Sequence, residues 1–274
     1  MKSITKILGL LLCVALPFLM LSGCTGSGSS AAQGDQLQKV LKAGKLVVAS
    51  DFTAPPMQFK DANGNPSGFT IEMVEKAGKA LGVKVEWQDM AWESLIPSLK
   101  AGKVDMIAAN MSMTLERMKS IRFTDPVMVT GICVMVRAKD KVKSWEDMKA
   151  ANKVIGSTMG SAHGDYVRKN WNKEPKQYEG SADWIRELKG GRIDAVMDDE
   201  LLLAQIVKQN PDLALAPGYV RPDTYGWTFR QDAAGDNLIR WFNWFLKWEK
   251  LNGEYGEIYE KYVGHPWTPN VVMD

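Results

Sequence analysis

Several side chains of this 274-residue sequence have the chemistry to hold a small anion. Arg117 follows the predicted strand Val104–Ala109, and its planar guanidinium can offer paired donors to a carboxylate. Ser112, five residues earlier, adds a hydroxyl and a backbone donor. Ser161 and Ala162 end a short strand and precede a helix, so free N–H groups of that helix can point at the same carboxylate. These groups predict an anion site at the sheet edge where open α/β folds bind ligands.

An acidic run, Asp198–Glu200, follows the predicted strand Ile193–Met197. Like charges this close raise one another's pKa unless a cation sits among them. The run is therefore either a partner for an ammonium group or an acidic surface cluster. For Arg117 the corresponding alternative is a solvated charge beside Glu116. A free amino acid, which carries a carboxylate and an ammonium on one carbon, would use both charged sites.

The overall composition argues against several other classes of protein. Lys and Arg number 34 against 32 Asp and Glu, and this net charge of +2 does not suggest nucleic acid as a partner. His163 and His265 are the only histidines in the sequence. Because paired metal-ligand spacing and a phosphate loop are both missing, we expect no metal and no cofactor. Both histidines are expected to be structural or exposed.

The N-terminal segment has the pattern of an export signal. An apolar run, Ile7–Met20, follows two lysines and is too short for a comfortable membrane span, which predicts a signal peptide over residues 1–23. The run leads into Leu21–Cys24, which resembles the bacterial lipobox, so Cys24 would begin the mature chain and carry a lipid. The alternative is an ordinary signal peptide that is cut near Cys24. Residues 24–38 are predicted to form a flexible tether, because their Gly, Ser and Ala have little to bury.

Strand-like and helix-like patterns alternate through the next part of the chain. The predicted order is Lys45–Ser50 (strand), Ile71–Leu81 (helix), Val83–Trp87 (strand), Trp92–Lys100 (helix) and Val104–Ala109 (strand). This order implies parallel βαβ units and hence an α/β lobe.

The same alternation restarts later in the chain. The predicted elements are Ser144–Lys149 (helix), Val154–Gly156 (strand), Gly164–Trp171 (helix), Trp184–Lys189 (helix) and Ile193–Met197 (strand). A second α/β lobe is therefore expected.

Near the C-terminus, aromatic residues recur at helical spacing. They are Trp241, Phe242, Trp244, Phe245 and Trp248. Their spacing places them along one helical face with one Phe at its edge, so we expect them to pack in the core or against another lobe.

Four stretches, in this order and spacing, resemble the family-3 extracellular solute-binding proteins of polar amino-acid ABC transporters. They are Asp51–Met57, Gly68–Glu72, Leu95–Asp105, and Ser112–Arg117 followed by Phe123–Pro126. The resemblance spans nearly the whole mature chain and implies an α/β, periplasmic-binding-protein-like (type II) two-lobe flytrap with two hinge crossings. It implies lobe 1 from residues 39–130 and 221–274, lobe 2 from residues 131–220, and hinges near Thr130-Gly131 and Tyr219–Tyr225.

The resemblance also assigns the groups that would hold the common part of an amino acid. Ser112 and Arg117 match the family's carboxylate contacts, and Asp199 matches its partner for the ammonium group. Ser161 keeps one hydroxyl of a usual pair, but the second position is Ala162, so only a backbone donor is implied there. With Arg117 and Asp199 on different lobes, ligand affinity should favour the closed state.

The assignment is less complete for the ligand's side chain. Asp51 matches a position that often touches a polar or cationic side chain, and Trp92 matches an aromatic wall. Ala54 replaces the usual aromatic residue, Thr70 replaces a frequent Asp, and Asn110 stands where Gly or Ser is common. A polar or basic amino acid is slightly favoured. Its carrier would be an exported, lipid-anchored monomer that faces the periplasm or cell exterior and serves an ABC transporter permease.

Two other functions share this fold. Cyclohexadienyl dehydratases, which act on prephenate or arogenate, are expected to carry a Glu three residues beyond the position of Asp199, where this chain has Leu202. Receptor sensor modules normally continue into a membrane helix and a signalling domain, whereas this sequence stops at Asp274. We therefore expect a binding protein without enzymatic activity, with the dehydratase as the alternative.

Overall fold

The computed structural model describes residues 34–268. The predicted signal peptide, the lipid-bearing Cys24 and the first part of the predicted tether lie outside the described residues.

The helices are α1 (Gln36–Ala43), α2 (Phe69–Leu81), α3 (Trp92–Lys100), α4 (Leu115–Met118), α5 (Ala162–Trp171), α6 (Ser181–Lys189), α7 (Glu200–Gln209), α8 (Asp236–Asn252) and α9 (Glu254–Val263). The strands are β1 (Lys45–Ser50), β2 (Thr53–Ala54), β3 (Gln58–Lys60), β4 (Pro66–Ser67), β5 (Lys84–Asp89), β6 (Met106–Ile107), β7 (Ile121–Phe123), β8 (Met128–Arg137), β9 (Ile155–Thr158), β10 (Lys176–Tyr178), β11 (Ala195–Asp199), β12 (Leu213–Leu215), β13 (Arg221–Tyr225) and β14 (Thr228–Arg230). Short 3₁₀ helices lie at Ala138–Asp140, Trp145–Lys149 and Ala233–Gly235.

The sheet of lobe 1 takes strands from two distant parts of the chain, in the order β5-β1-β6-β14-β7. β1 lies parallel to both β5 and β6, in agreement with the predicted βαβ units. β14 inserts antiparallel between β6 and β7. Helices α2, α8 and α9 share one buried cluster with this sheet, which includes Phe69, Phe229 and Phe242. The chain therefore returns to lobe 1 after it has built lobe 2.

The sheet of lobe 2 has the order β10-β9-β11-β8-β12, with β13 paired to β8. β9 lies parallel to β10 and β11, whereas β8 is antiparallel to β11 and β12. Successive residues of β8 belong to different hydrophobic clusters. Val134 lies in the cluster that contains Trp171 of α5, and Met135 lies in the cluster that contains Trp184 of α6. Since successive strand residues point to opposite faces, helices cover both faces of this sheet.

Two antiparallel strands connect the lobes. β8 is ten residues long, and its first half pairs with β13 so that Thr130 faces Asp223 and Gly131 faces Pro222. β7 precedes β8 and β14 follows β13, so each of these two segments runs from one sheet to the other. The two hinge crossings of the type II fold therefore lie side by side as a paired ribbon.

Helices α2 and α3 of lobe 1 end at the residues that the sequence predicts, Leu81 and Lys100. α2 stops at Gly82, which adopts φ 72° and donates its N–H to carbonyls of the last turn. α3 has the predicted bounds, but the predicted strand Val104–Ala109 shortens to Met106–Ile107. Just before this strand, the Asp105 carboxylate accepts the N–H of Val47 at 2.9 Å.

The folded body begins earlier than the predicted end of the tether at residue 38. Asp35 caps α1 by accepting the N–H of Leu37 at 3.0 Å. Gln36 is buried and donates to the Asp105 carboxylate at 2.6 Å. Residues 36–38 are therefore helical, because a cap and a buried amide fix the chain there.

Helix α8 buries only part of its predicted aromatic face. Phe242 and Phe245 lie in the core, and Trp241 stacks on Phe245 at a ring distance of 5.5 Å. Trp244 and Trp248 are 67% and 64% exposed. The expectation that all of these aromatics pack inside is wrong for these two, since the buried stripe runs one position away from them. Among residues 34–268, no helix has the length and apolar character that a bilayer crossing needs.

This division predicts unequal effects of truncation along α8. Phe242→Ala should lower the free energy of unfolding by about 3–5 kcal/mol, because it empties a fully buried site. Trp248→Ala should change it by less than about 0.5 kcal/mol, because that ring is mostly in solvent. Urea unfolding of both variants gives the comparison. Equal losses would show that Trp248 is covered in solution.

Candidate functional site

A small cavity lies between the two lobes, with a volume of about 30 Å³. Its lining from lobe 1 is Asp51, Thr53, Ala54, Trp92, Asn110 and Ser112. Its lining from lobe 2 is Thr158, Ser161, Ala162, His163, Ser181, Asp198 and Leu202. A space of this size holds little more than one or two water molecules. The structure thus brings together six of the eight predicted binding residues, namely Asp51, Trp92, Asn110, Ser112, Ser161 and Ala162, and leaves Arg117 and Asp199 outside the lining.

Hydrogen bonds join the two walls of the cavity. Trp92 Nε1 and Arg117 Nη2 both donate to the carbonyl of Gly160, at 3.3 and 3.2 Å. Ser181 Oγ donates to the carbonyl of Thr53 at 3.3 Å. The lobes are therefore in contact around the cavity, and a ligand larger than the present space needs them to separate.

Arg117 lies on α4 beside the cavity. Its Nη1 donates to the carbonyl of Ser112 at 3.0 Å, and its guanidinium lies 5.7 Å from the ring centre of Trp92. Burial lowers the pKa of Arg117 to about 10, although Asp223 and Asp165 oppose the change. The side chain remains a cation at neutral pH and touches two residues that line the cavity.

Ser112 links the cavity to a carboxylate that the sequence did not indicate. Its Oγ donates to Asp223 Oδ2 at 2.7 Å, and both side chains are buried. Burial alone would raise the pKa of Asp223, but contact with His163 and Ser112 and the charge of Arg221 hold it below its ordinary value. Asp223 lies on β13, so the hinge ribbon supplies a charge directly behind the cavity.

The floor of lobe 1 is a polar network around Gln58. Its Nε2 donates to Asp51 Oδ1 at 3.2 Å and to Asn110 Oδ1 at 2.7 Å. Thr53 Oγ1 donates to the other oxygen of Asp51. Burial raises the pKa of Asp51 despite these hydrogen bonds. Gln58 is thus a positioning residue that sequence reasoning missed, since nothing in its neighbourhood along the chain marks it as polar and buried.

The start of α5 forms part of the lobe 2 wall. Ser161 is the N-cap, and its Oγ accepts the N–H of Gly164 at 3.1 Å, which leaves the hydroxyl engaged in the cap. The N–H groups of Ala162 and His163 open the helix and have no intrahelical acceptor. Both residues line the cavity. The backbone can therefore supply anion donors here, at the positive end of the helix dipole.

The acidic pair at the end of β11 divides between two environments. Asp198 lines the cavity, whereas Asp199 caps α7 and accepts the N–H of Leu201 at 2.8 Å and the hydroxyl of Thr130 at 2.8 Å. Burial raises the pKa of Asp199 to about 6, and burial also raises the pKa of Asp198. Successive residues of a strand point to opposite faces, so only one of the two can face the cavity. Of the two, Asp198 lines the cavity and Asp199 does not.

His163 occupies the wall between two carboxylates. Its Nδ1 lies 3.4 Å from Asp198 Oδ1 and its Nε2 lies 3.8 Å from Asp223 Oδ2. Neither nitrogen has a hydrogen-bond partner in the part of the chain that the structure describes. Burial lowers the pKa of His163, but the two carboxylates raise it more, so that it ends above its ordinary value. His265 is exposed, as expected, whereas His163 is buried in the cavity wall.

One residue of the lobe 2 wall concerns the dehydratase alternative. Leu202, where a dehydratase is expected to carry a catalytic Glu, is buried and lines the cavity. Within residues 34–268, no group of three or more His, Cys, Asp or Glu side chains is arranged to hold a metal ion.

Comparison with known proteins identifies a related family. The model for bacterial extracellular solute-binding proteins, family 3, matches residues 46–265. A probable histidine-binding protein of Neisseria gonorrhoeae is 32% identical over 258 residues, covering 91% of this chain and 92% of that protein. The curated relatives are named as amino-acid-binding proteins, some of them of ABC transporters, which confirms the expectation of a binding protein rather than an enzyme.

Solved structures show the same fold. A mutant of ArgBP from T. maritima has a TM-score of 0.79 and 30% identity, covering 84% of this chain and 100% of that chain. An ancestral amino-acid-binding protein, described as a precursor of cyclohexadienyl dehydratase, has a TM-score of 0.77 and 31% identity, covering 84% and 100%. These similarities confirm the predicted two-lobe architecture.

Proposed function

Because this chain belongs to the bacterial extracellular solute-binding proteins, family 3, we propose that it captures a free amino acid with a cationic side chain for an ABC importer. The observation that carries the proposal is the charge of the cavity. Asp51 reaches it from lobe 1 and Asp198 reaches it from lobe 2, both as buried carboxylates. A buried carboxylate needs a partner, and a ligand with two cationic groups supplies one to each.

The parts of such a ligand can be assigned to the two walls. The ammonium group pairs with Asp198, and the cationic side chain pairs with Asp51 and stacks on Trp92. The carboxylate lies between Arg117 and the N–H groups of Ala162 and His163. Each lobe then holds opposite charges of the same ligand, so the fully bound state is the closed one.

The comparisons support this ligand class. The related protein of Neisseria gonorrhoeae is named as histidine-binding, and ArgBP of T. maritima has been solved with arginine bound. Both ligands carry a nitrogen-rich side chain. The acidic cavity of this chain favours the same kind of solute.

Entry of the ligand requires the hinge ribbon to open. The cavity of about 30 Å³ is too small for an arginine, so the contacts of Gly160 with Trp92 and Arg117 must break first. Closure over the ligand then presents a distinct surface to the transporter permease.

Export and anchoring complete the proposed function. A signal peptide over residues 1–23 and a lipid on Cys24 would hold the protein at the membrane on the periplasmic or external side, where the family acts as extracellular binding proteins. The protein would work as a monomer that hands its ligand to the permease.

Calorimetry of the purified protein against single amino acids tests the ligand class. Arginine, lysine and histidine should bind, whereas leucine and glutamate should not. Asp198→Asn should weaken binding of the best ligand by at least about 30-fold, because it removes a buried charge partner of the ammonium group. Asp212→Asn, at an exposed position of lobe 2 outside the cavity lining, is the matched control.

Two results would contradict this account. Equal binding of glutamate would refute the cationic ligand class. Unchanged affinity in Asp198→Asn together with a large loss in Asp199→Asn would move the ammonium site to the α7 cap.

A further inference from the structure

The placement of His163 gives the binding site a titratable group of its own. The imidazole is 6% exposed and lies at the end of α5 that forms the cavity wall. Its two nitrogens lie 3.4 Å and 3.8 Å from the carboxylates of Asp198 and Asp223. Since neither nitrogen is fixed by a hydrogen bond among the described residues, the ring is held by packing and by charge.

The charges around His163 come from several elements. Asp198 and Asp199 act on it from β11, and Asp223 acts on it from β13. Asp51 of lobe 1 interacts in turn with Asp198. On the cationic side, Arg117 of α4 acts on Asp223, and Arg221 lies 3.6 Å from Asp223 Oδ1. The imidazole therefore stands in a predominantly acidic surrounding that favours its protonated form.

We infer that His163 competes with the ligand's ammonium group for Asp198, so that capture of the amino acid expels a proton from the imidazole into the solvent. The inference rests on the proposed function, since it needs an ammonium group at Asp198. In the empty site the imidazolium balances the Asp198 carboxylate. In the filled site the ammonium group takes over that balance, and the nearby imidazolium is repelled.

The competition follows from the way the Asp198 carboxylate is already used. Its Oδ1 accepts the N–H of Asp199 at 2.8 Å and is also the oxygen next to His163. An ammonium group that donates to the same carboxylate weakens the attraction between this carboxylate and the imidazolium. Two cations beside one carboxylate in a dry cavity repel each other strongly. The imidazole gives up its proton because it is the group that titrates near neutral pH.

The direction of the pH dependence is fixed by this competition. At low pH His163 is protonated, so the ligand must displace a proton and binds more weakly. As the pH rises through the pKa of His163, the affinity increases by less than about tenfold per pH unit, the limit for one released proton. At higher pH the imidazole is already neutral, and the affinity levels off. Binding should therefore weaken in an acidified medium.

Calorimetry in buffers of different ionisation enthalpy counts the protons directly. With the best-binding cationic amino acid, the full-length mature protein should release a fraction of one proton per ligand, and the release should peak where His163 titrates. His163→Gln keeps a polar side chain of similar reach but cannot titrate. It should abolish the release and flatten the pH profile while it still binds. His265→Gln, at the exposed histidine, should behave as the wild type.

A second measurement does not depend on any variant folding. NMR can follow the ring signals of His163 through a pH titration. The pKa of the imidazole should be lower when the ligand is bound. An unchanged ring pKa, zero proton release at every pH, or proton uptake would each overturn the inference while leaving the proposed function intact. If no amino acid binds at all, the proposed function fails, and the inference falls with it.

Discussion

Arg117→Ala will weaken binding of a cationic amino acid by at least about 30-fold, the loss typical of truncating one partner of a buried charge pair. In the proposed function the guanidinium meets the ligand's carboxylate, and in the structure it joins the lobes through the carbonyl of Gly160. Its removal therefore weakens both the ligand contact and the closed state. Arg117→Lys keeps the charge without the planar pair of donors, so it should recover only part of the affinity.

The matched control is Arg168→Ala. Arg168 lies on α5 with its partners Asp165 and Glu174 at the surface. Surface ion pairs contribute little, so affinity and stability should both stay close to wild type. Titration calorimetry of the three variants, with thermal unfolding to verify folding, gives the comparison. Wild-type affinity in Arg117→Ala would remove this residue from the binding site.

Gly68→Ala will lower the free energy of unfolding by at least about 3 kcal/mol, because it combines a strained backbone with a clash that nothing flexible can relieve. Gly68 adopts φ 122° as the N-cap of α2. A Cβ there would collide with the carbonyl oxygen of Met57 and would lie 2.9 Å from that of Pro56. These same carbonyls accept the first N–H groups of α2, so the helix cannot move away without losing them.

Gly82→Ala measures the cost of backbone strain at a positive φ without the steric clash that occurs at Gly68. Gly82 also has a positive φ, 72°, but a Cβ there would meet no atom within 4 Å. The cost should be only about 1 kcal/mol, the penalty for a left-handed alanine. Denaturant unfolding of the two variants tests the difference. Similar losses would show that the loop at Met57 yields, and that Gly68 is needed only for its φ.

The parts of the fold that local signals determine were predictable from the sequence. α3 has the predicted bounds, and α2 ends at the predicted Leu81, before the glycine that caps it. The insertion of β14 between β6 and β7 has no local signal, because Thr228 pairs with Ile107 across more than a hundred residues of chain. Only the family resemblance pointed to a returning segment.

Six of the eight predicted binding residues line one cavity, but the orientation of the acidic run was not predictable. Ser112 could be placed near a carboxylate site by its spacing from Arg117, yet its partner Asp223 lies on a distant strand. The choice between Asp198 and Asp199 depends on which side of β11 faces the other lobe. A shift of one residue reverses that choice, and an acidic run gives no means of deciding it.

The place of β14 in the sheet of lobe 1 also sets an order for assembly during synthesis. Every strand in the continuous order of the lobe 2 sheet lies between residues 128 and 215, so that sheet can close as soon as this stretch has been made. Lobe 1 begins first but must wait, because the strand between β6 and β7 is made only at residues 228–230. Until then two strands of its sheet, Met106–Ile107 and Ile121–Phe123, lack the partner that pairs with both of them. The lobe that starts the chain is therefore the last to be completed.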